Sequence, residues 1–172
     1  MPRLARQLRA LWMPQPLSAG VLLFRQRNGR TEVLLIKPGG PFWRNKHVGA
    51  WMIPKGMVEP GEAPAEAALR EFEEETDTRL TAVPFRLATV RQAGGKVVEA
   101  FAAEGDLDPG SIRSNEFELE WPPRSGRMEQ FPEVAAARWM SFAEARDLML
   151  PSQLPLISAL ERKLARAGTD RR

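Results

Sequence analysis

The sequence predicts one α/β sandwich domain, and three observations carry that prediction. The chain has 172 residues, 43% of them apolar and 27% charged, which is the size and balance of one globular domain with its own core. Short apolar runs bounded by Gly, Pro and Asn recur along most of its length, as strands do. Helical periodicity is confined to one central segment and the C-terminal end. No repeat or linker divides the chain, so residues 13–172 are expected to form a single domain behind an N-terminal extension, residues 1–12.

The extension places Arg3, Arg6 and Arg9 at helical spacing with Leu4, Leu8 and Leu11 between them, and it is assigned no function. Residues 18–25 (SAGVLLFR) and 31–37 (TEVLLIK) read as a hairpin around the turn signal Asn28-Gly29. Residues 38–49 form a twelve-residue loop, long enough to suggest function. A short strand over 50–53, a loop over 54–61 and a helix over 63–76 follow, with Pro64 in the first helical turn, where its missing N–H is harmless. Strands are predicted over 80–90 and 96–103, flanking Gly94-Gly95, with a turn at 107–110. In residues 115–121, Phe117, Leu119 and Trp121 alternate with Glu116, Glu118 and Glu120, the pattern of a half-buried strand. A last strand over 137–140 precedes two helices. Ser141 and Glu144 make a capping box for the first, which runs to about Leu148. Ser152 caps the second, which runs to about Ala167 with Leu156, Ile157, Leu160 and Leu164 on one side.

Composition excludes several function classes. No apolar run approaches the ~18–20 residues that span a bilayer, so no membrane partner is expected. Cysteine is absent, which removes thiol catalysis, thiolate metal sites and disulfides, and fits a cytoplasmic location. The net charge is +3, yet acids are concentrated. Residues 1–55 carry ten Lys/Arg and one acid, residues 56–78 eight acids and one base, and residues 104–120 six acids and one base. Such crowding is unfavourable unless a cation compensates it. No basic stripe interleaved with aromatics is present, so no nucleic-acid polymer is expected as a partner.

On a helix over 63–76, Glu71, Glu74 and Glu75 share one face at i, i+3, i+4. Ala65, Ala68, Leu69 and Phe72 gather on the opposite, sheet-facing side, with small Ala67 near the carboxylates. Like charges at this spacing each destabilise a helix by ~0.2–0.5 kcal/mol. A hard divalent cation reverses the sign of that interaction, because Mg²⁺ or Mn²⁺ takes carboxylate oxygens and bridges to phosphates. A solvated acidic face is the alternative reading of these residues alone.

The flanking spacing decides between them. Gly56, five residues, Glu62, seven residues, then Arg70-Glu71-Phe72-Glu73-Glu74-Glu75 is similar to the Nudix box, G-x5-E-x7-R-E-U-x-E-E-x-G-U, where U is a bulky aliphatic or similar residue. The sequence thus resembles the Nudix hydrolases, as does the element order over residues 17–165. Asp77 departs from the box Gly and Thr78 from its last aliphatic position. Asp tolerates the left-handed conformation of a helix end better than most residues, so activity should be retained.

The resemblance implies an α/β/α sandwich with a mixed β-sheet, and hydrolysis of a phosphoanhydride in a nucleoside diphosphate linked to another group. Dinucleoside polyphosphates, nucleotide sugars and modified nucleotides all belong to that class. By position, Glu71, Glu74, Glu75 and the Gly56 carbonyl are the implied ligands of Mg²⁺ or Mn²⁺, with Glu74 or Glu75 orienting or deprotonating water. Glu62 and Arg70 are the implied supporting pair. Glu120 is the first choice for a catalytic carboxylate outside the box. For substrate binding, Phe42 and Trp43 could stack on a base, while Arg44, Lys46, Lys55, Arg124 and Arg127 could pair with phosphates. His47, the lone His, is expected to be structural or exposed. A non-catalytic, nucleotide-binding Nudix domain is the alternative function, with Asp77 its only support. A homodimer is left open.

Overall fold

The computed structural model describes residues 16–169; the 1–12 extension lies outside them. The chain runs β1 (Leu17–Arg27), β2 (Arg30–Pro38), β3 (Lys55–Met57), α1 (Pro64–Thr76), β4 (Phe85–Arg91), β5 (Val97–Glu104), β6 (Glu116–Glu120), β7 (Met128–Pro132), β8 (Val134–Ser141), α2 (Phe142–Leu148) and α3 (Leu154–Thr169). Five strands form a path in the order β4-β5-β1-β2-β8, β3 joins as the sixth strand by pairing with β1, and β6-β7 make a separate two-stranded sheet. The main sheet is mixed, because β1 runs parallel to β5 and every other pairing is antiparallel.

Period-2 alternation in β1 explains the layers. Ala19, Val21 and Leu23 face α1 through Ala67, Ala68 and Phe72. Leu22 and Phe24 face the other side, against Leu156, Ile157 and Leu160 of α3. The result is the expected α/β/α sandwich. Asn28 and Gly29 both take positive φ (51° and 72°), the primed turn that matches strand twist in a two-residue hairpin.

The hairpin does not stay closed. β1 pairs with β2 only at Phe24–Arg27, and the same edge of β1 pairs with β3 at Ser18–Gly20. β5 occupies the other edge over Leu17–Phe24. The two hairpin strands therefore diverge, and the segment ending in β3 fills the wedge. Gly20 permits this approach, since a Cβ there would lie 2.4 Å from the Pro54 carbonyl oxygen.

Four expectations need correction. The strand expected over 50–53 is only a pair of bridges, Met52 to Ile36 and Trp51 to Met149. The run is buried, and the Ile53 N–H is satisfied by the Gln153 side chain at 3.0 Å instead of by a strand. The true strand, β3, lies in the expected loop. β4 begins only at Phe85, immediately after Pro84, which cannot donate to a ladder. β7 was not anticipated, because its sequence MEQFP shows little alternation and gains regularity by pairing with β6.

Candidate active site

Helix α1 is positioned by its buried stripe of Ala67, Ala68, Phe72 and Thr76. Ala67 is fully buried one turn before Glu71, and Leu69 is only half-buried. The helix ends at Asp77, which takes the left-handed conformation (φ 54°, ψ 31°) and donates its N–H to the Glu73 carbonyl at 2.8 Å. The residue departing from the box Gly thus performs the same chain reversal.

Glu71 and Glu75 both meet β3. The Lys55 N–H donates to Glu75 Oε2 at 3.1 Å. The Glu71 carboxyl lies against Gly56, where a Cβ would come within 2.0 Å of it. This close approach explains the glycine. Along β3, backbone groups alternate between edges. The bonds Val21 N–H to Pro54 O and Val58 N–H to Leu17 O make Ala19 and Gly56 a hydrogen-bonded pair between them. The Gly56 carbonyl therefore faces Ala19. The Lys55 carbonyl lies on the same edge as its N–H, the edge turned to Glu75. Gly56, expected as a main-chain ligand, instead supplies clearance, and Lys55 supplies the carbonyl on the carboxylate side.

Arg70 ties this junction together. Its Nε and Nη2 donate to the two oxygens of Glu62 at 2.8 and 3.0 Å. Nη1 donates to Glu71 at 2.8 Å and more weakly to Glu74 at 3.3 Å, and Nη2 also reaches the Met57 carbonyl at 3.0 Å. Glu62 in turn accepts from the Glu59 N–H at 3.0 Å. The Arg70 hydrogen bonds hold the Glu62 carboxyl down at about 2. The Glu71 carboxyl is pushed up by burial, against the opposing pull of Arg70. The Glu75 carboxyl is pushed up to about 8, chiefly by burial, with Glu71 and Glu133 adding repulsion. Burial pushes the nearby Lys55 ammonium down, with Glu75 opposing the change. Among the described residues no three acidic or imidazole side chains converge closely enough to hold an ion by themselves. Arg70 draws Glu71 and Glu74 toward itself.

The loop candidates separate into two groups. Trp43 is half-buried and lines a cleft of about 590 Å³ with Met52, Lys55, Gln92, Lys96 and Leu150. Lys46 lies 5.1 Å from the Trp43 ring centroid. Phe42 is exposed and packs edge-on against Trp121 at 5.6 Å. Arg44 lines a second, smaller cleft. His47 is exposed on the same loop.

The second group lies on the turn between β6 and β7. Arg124 takes positive φ there (63°), and the Arg127 carbonyl accepts from the Trp121 N–H at 2.9 Å. Glu120 accepts the Gly126 N–H at 2.7 Å, so its carboxylate braces its own hairpin. The carboxylate outside the box whose charge reaches both Glu71 and Glu75 is Glu133, at the junction of β7 and β8. Its one sequence signal is its place just before the apolar start of β8. Lys96 and Gln92 were also missed, because only the β4–β5 turn carries them to Lys55.

Comparisons with known proteins agree with this layout. A family model described as NUDIX domain matches residues 14–160. An RNA pyrophosphohydrolase of Erythrobacter litoralis is 56% identical over 32 residues, covering 19% of this chain and 20% of that protein. An octanoyltransferase of Myxococcus xanthus is 31% identical over 111 residues, covering 64% of this chain and 27% of that protein. The chain therefore spans about a quarter or less of the length of these curated relatives. A C. elegans Ap4A hydrolase superposes with a TM-score of 0.63 at 22% identity, covering 86% of this chain and 98% of that one. The NUDIX domain of Shewanella oneidensis NrtR, complexed with ADP ribose, gives 0.63 at 20% identity, covering 95% and 99%. Likenesses at this identity report the fold.

Proposed function

Since the chain belongs to the Nudix family, we propose that it is a pyrophosphohydrolase acting on a nucleoside diphosphate linked to another group. The observation that carries the reading is the convergence of Glu71 and Glu75 on adjacent residues of β3, Glu71 against Gly56 and Glu75 on the Lys55 N–H. Enzymes of this family generally need a divalent cation, and the donors at the junction suit Mg²⁺ or Mn²⁺. They are all oxygens, with Gly56 leaving the room that Glu71 needs. Glu71, Glu74 and Glu75 would hold the cation together with a main-chain oxygen of β3. When bound, it would neutralise the phosphate and favour hydroxide over water.

The chain's own residues supply the rest. Glu62 and Arg70 lock the box loop onto α1, so that the carboxylates keep their places. Glu74, Glu75 and Glu133 are the carboxylates that could take the proton from the attacking water. The Trp43 cleft opens beside Lys55, so a base or other planar group could lie against the indole with its phosphates toward the lysine. Proteins of similar fold include an Ap4A hydrolase and a NUDIX domain complexed with ADP ribose, which supports a nucleotide substrate. The products are two phosphate-terminated fragments. A binding-only reading loses its support, because Asp77 preserves the helix end.

Incubation of the full chain with a nucleotide panel and Mg²⁺ or Mn²⁺, with identification of the products, tests the proposal. Cation-dependent release of a nucleoside monophosphate or diphosphate is expected. No turnover on any member would leave the binding-only reading.

A further inference from the structure

The Trp43 cleft belongs to the site already described, and the Arg25 cluster is internally paired with Glu32 and Asp106. A third feature is unexplained. Lys37 is only 8% exposed, yet among the described residues no carboxylate lies within ion-pair reach of it. Its ammonium has three protons to donate, and it makes one long contact, 3.4 Å to the Arg44 carbonyl. The side chain lines a cleft of about 250 Å³ closed by Gly40, Arg44, Phe131, Pro132 and Ala135. The β2–β8 register breaks between Lys37 and Pro38, leaving Ala135 outside the ladder. Such a bulge re-aims side chains and is common beside functional sites.

We propose that this cleft is a phosphate-binding site in which Lys37 and Arg44 hold the anion. Two residues of complementary kind line it: Lys37, a point charge carried on a strand, and Arg44, a planar fork carried on the loop. The volume is below the ~300–1,000 Å³ usual for whole drug-sized ligands, so it suits a phosphoryl group and not a nucleoside. The wall is rigid. The Gly39 N–H donates to the Glu133 carbonyl at 3.1 Å, and a Cβ on Gly39 would lie 1.8 Å from the Pro132 oxygen. The Gly39 bond thus ties the wall of the cleft to Glu133, a residue whose charge reaches Glu71 and Glu75. The site does not depend on the chain being a hydrolase.

Calorimetric titration of the metal-free full chain with inorganic pyrophosphate tests it. The unaltered protein should bind, and Lys37→Met and Arg44→Ala should each weaken binding by about tenfold, the loss of one charge-assisted contact. Arg44 is exposed, so its variant decides the matter if Lys37→Met fails to fold. A parallel loss of ADP affinity assigns the site to a phosphate of the nucleotide, and unchanged ADP affinity assigns it to a free anion. Absence of pyrophosphate binding, or equal affinity in the unaltered and variant proteins, overturns the proposal.

Discussion

Two acid-rich stretches look alike in the sequence and behave in opposite ways in the fold. In residues 56–78 the acids converge. Glu71 and Glu75 meet adjacent residues of β3, burial lifts both carboxyls, and Arg70 is shared among Glu62, Glu71 and Glu74. In residues 104–120 the acids disperse. Asp106 pairs with Arg25, Asp108 accepts the Gly110 N–H, Glu118 accepts from Gln130 and Glu120 braces a turn. Each of these four has a separate partner and none adds to another. Acid density therefore marks a site only where the backbone gathers the carboxylates faster than it supplies them with separate partners.

The largest expected effect breaks the convergent region. Glu75→Gln should lower turnover by about 10²–10⁴-fold, the range for losing a positioned acid–base group. The melting temperature should hold, because a neutral amide resembles the protonated carboxyl favoured by burial at about 8. Loss of folding together with turnover would make Glu75 structural. Gly56→Ala should come next. The added Cβ collides with the Glu71 carboxyl, so turnover should fall and urea denaturation should show a loss of ~1–3 kcal/mol, as for other overpacked sites. Unchanged stability in this variant would mean that Glu71 is free to move aside.

Glu62 sharpens the contrast through pH. Its folded value, about 2, lies below its ordinary 4.5, so the Arg70 pair stabilises the protein fully above 4.5. That contribution fades as the pH falls toward 2. Glu62→Gln should flatten this part of a stability–pH curve, measured by urea unfolding at each pH. The smallest effects belong to the dispersed region. Asp106→Asn should change stability by only ~0–1 kcal/mol, as exposed ion pairs do, and leave turnover alone. Glu120→Gln should also leave turnover unchanged. A large loss there would restore Glu120 to the reaction and remove the distinction between the two stretches.

The layers, the central helix and its carboxylate face were legible in the sequence, because hydrophobic period and box spacing are local. The left-handed end at Asp77 was legible for the same reason. Residues 50–53 misled because a continuous apolar run signals burial without saying what satisfies its backbone, here the distant Gln153. Lys55–Met57 looked like loop because a run of three residues just after Pro54 is too short to show a period. Which carbonyl faces the carboxylates depends on strand register, which spacing alone does not encode. Glu133 and Lys96 reach the site only through tertiary pairing, whereas Glu120 looked suitable until the Gly126 N–H claimed it.

β1 has neighbours along both edges: β5 on one side, and β2 and β3 in succession on the other. A strand held this way has no independent way to fray. Amide deuterium uptake along β1 should therefore wait for the rare moments when the whole domain melts, while the lone β6–β7 ribbon opens by itself and exchanges early. The floor of the site is thus as durable as the protein's centre, and plasticity is left to the segments around its rim.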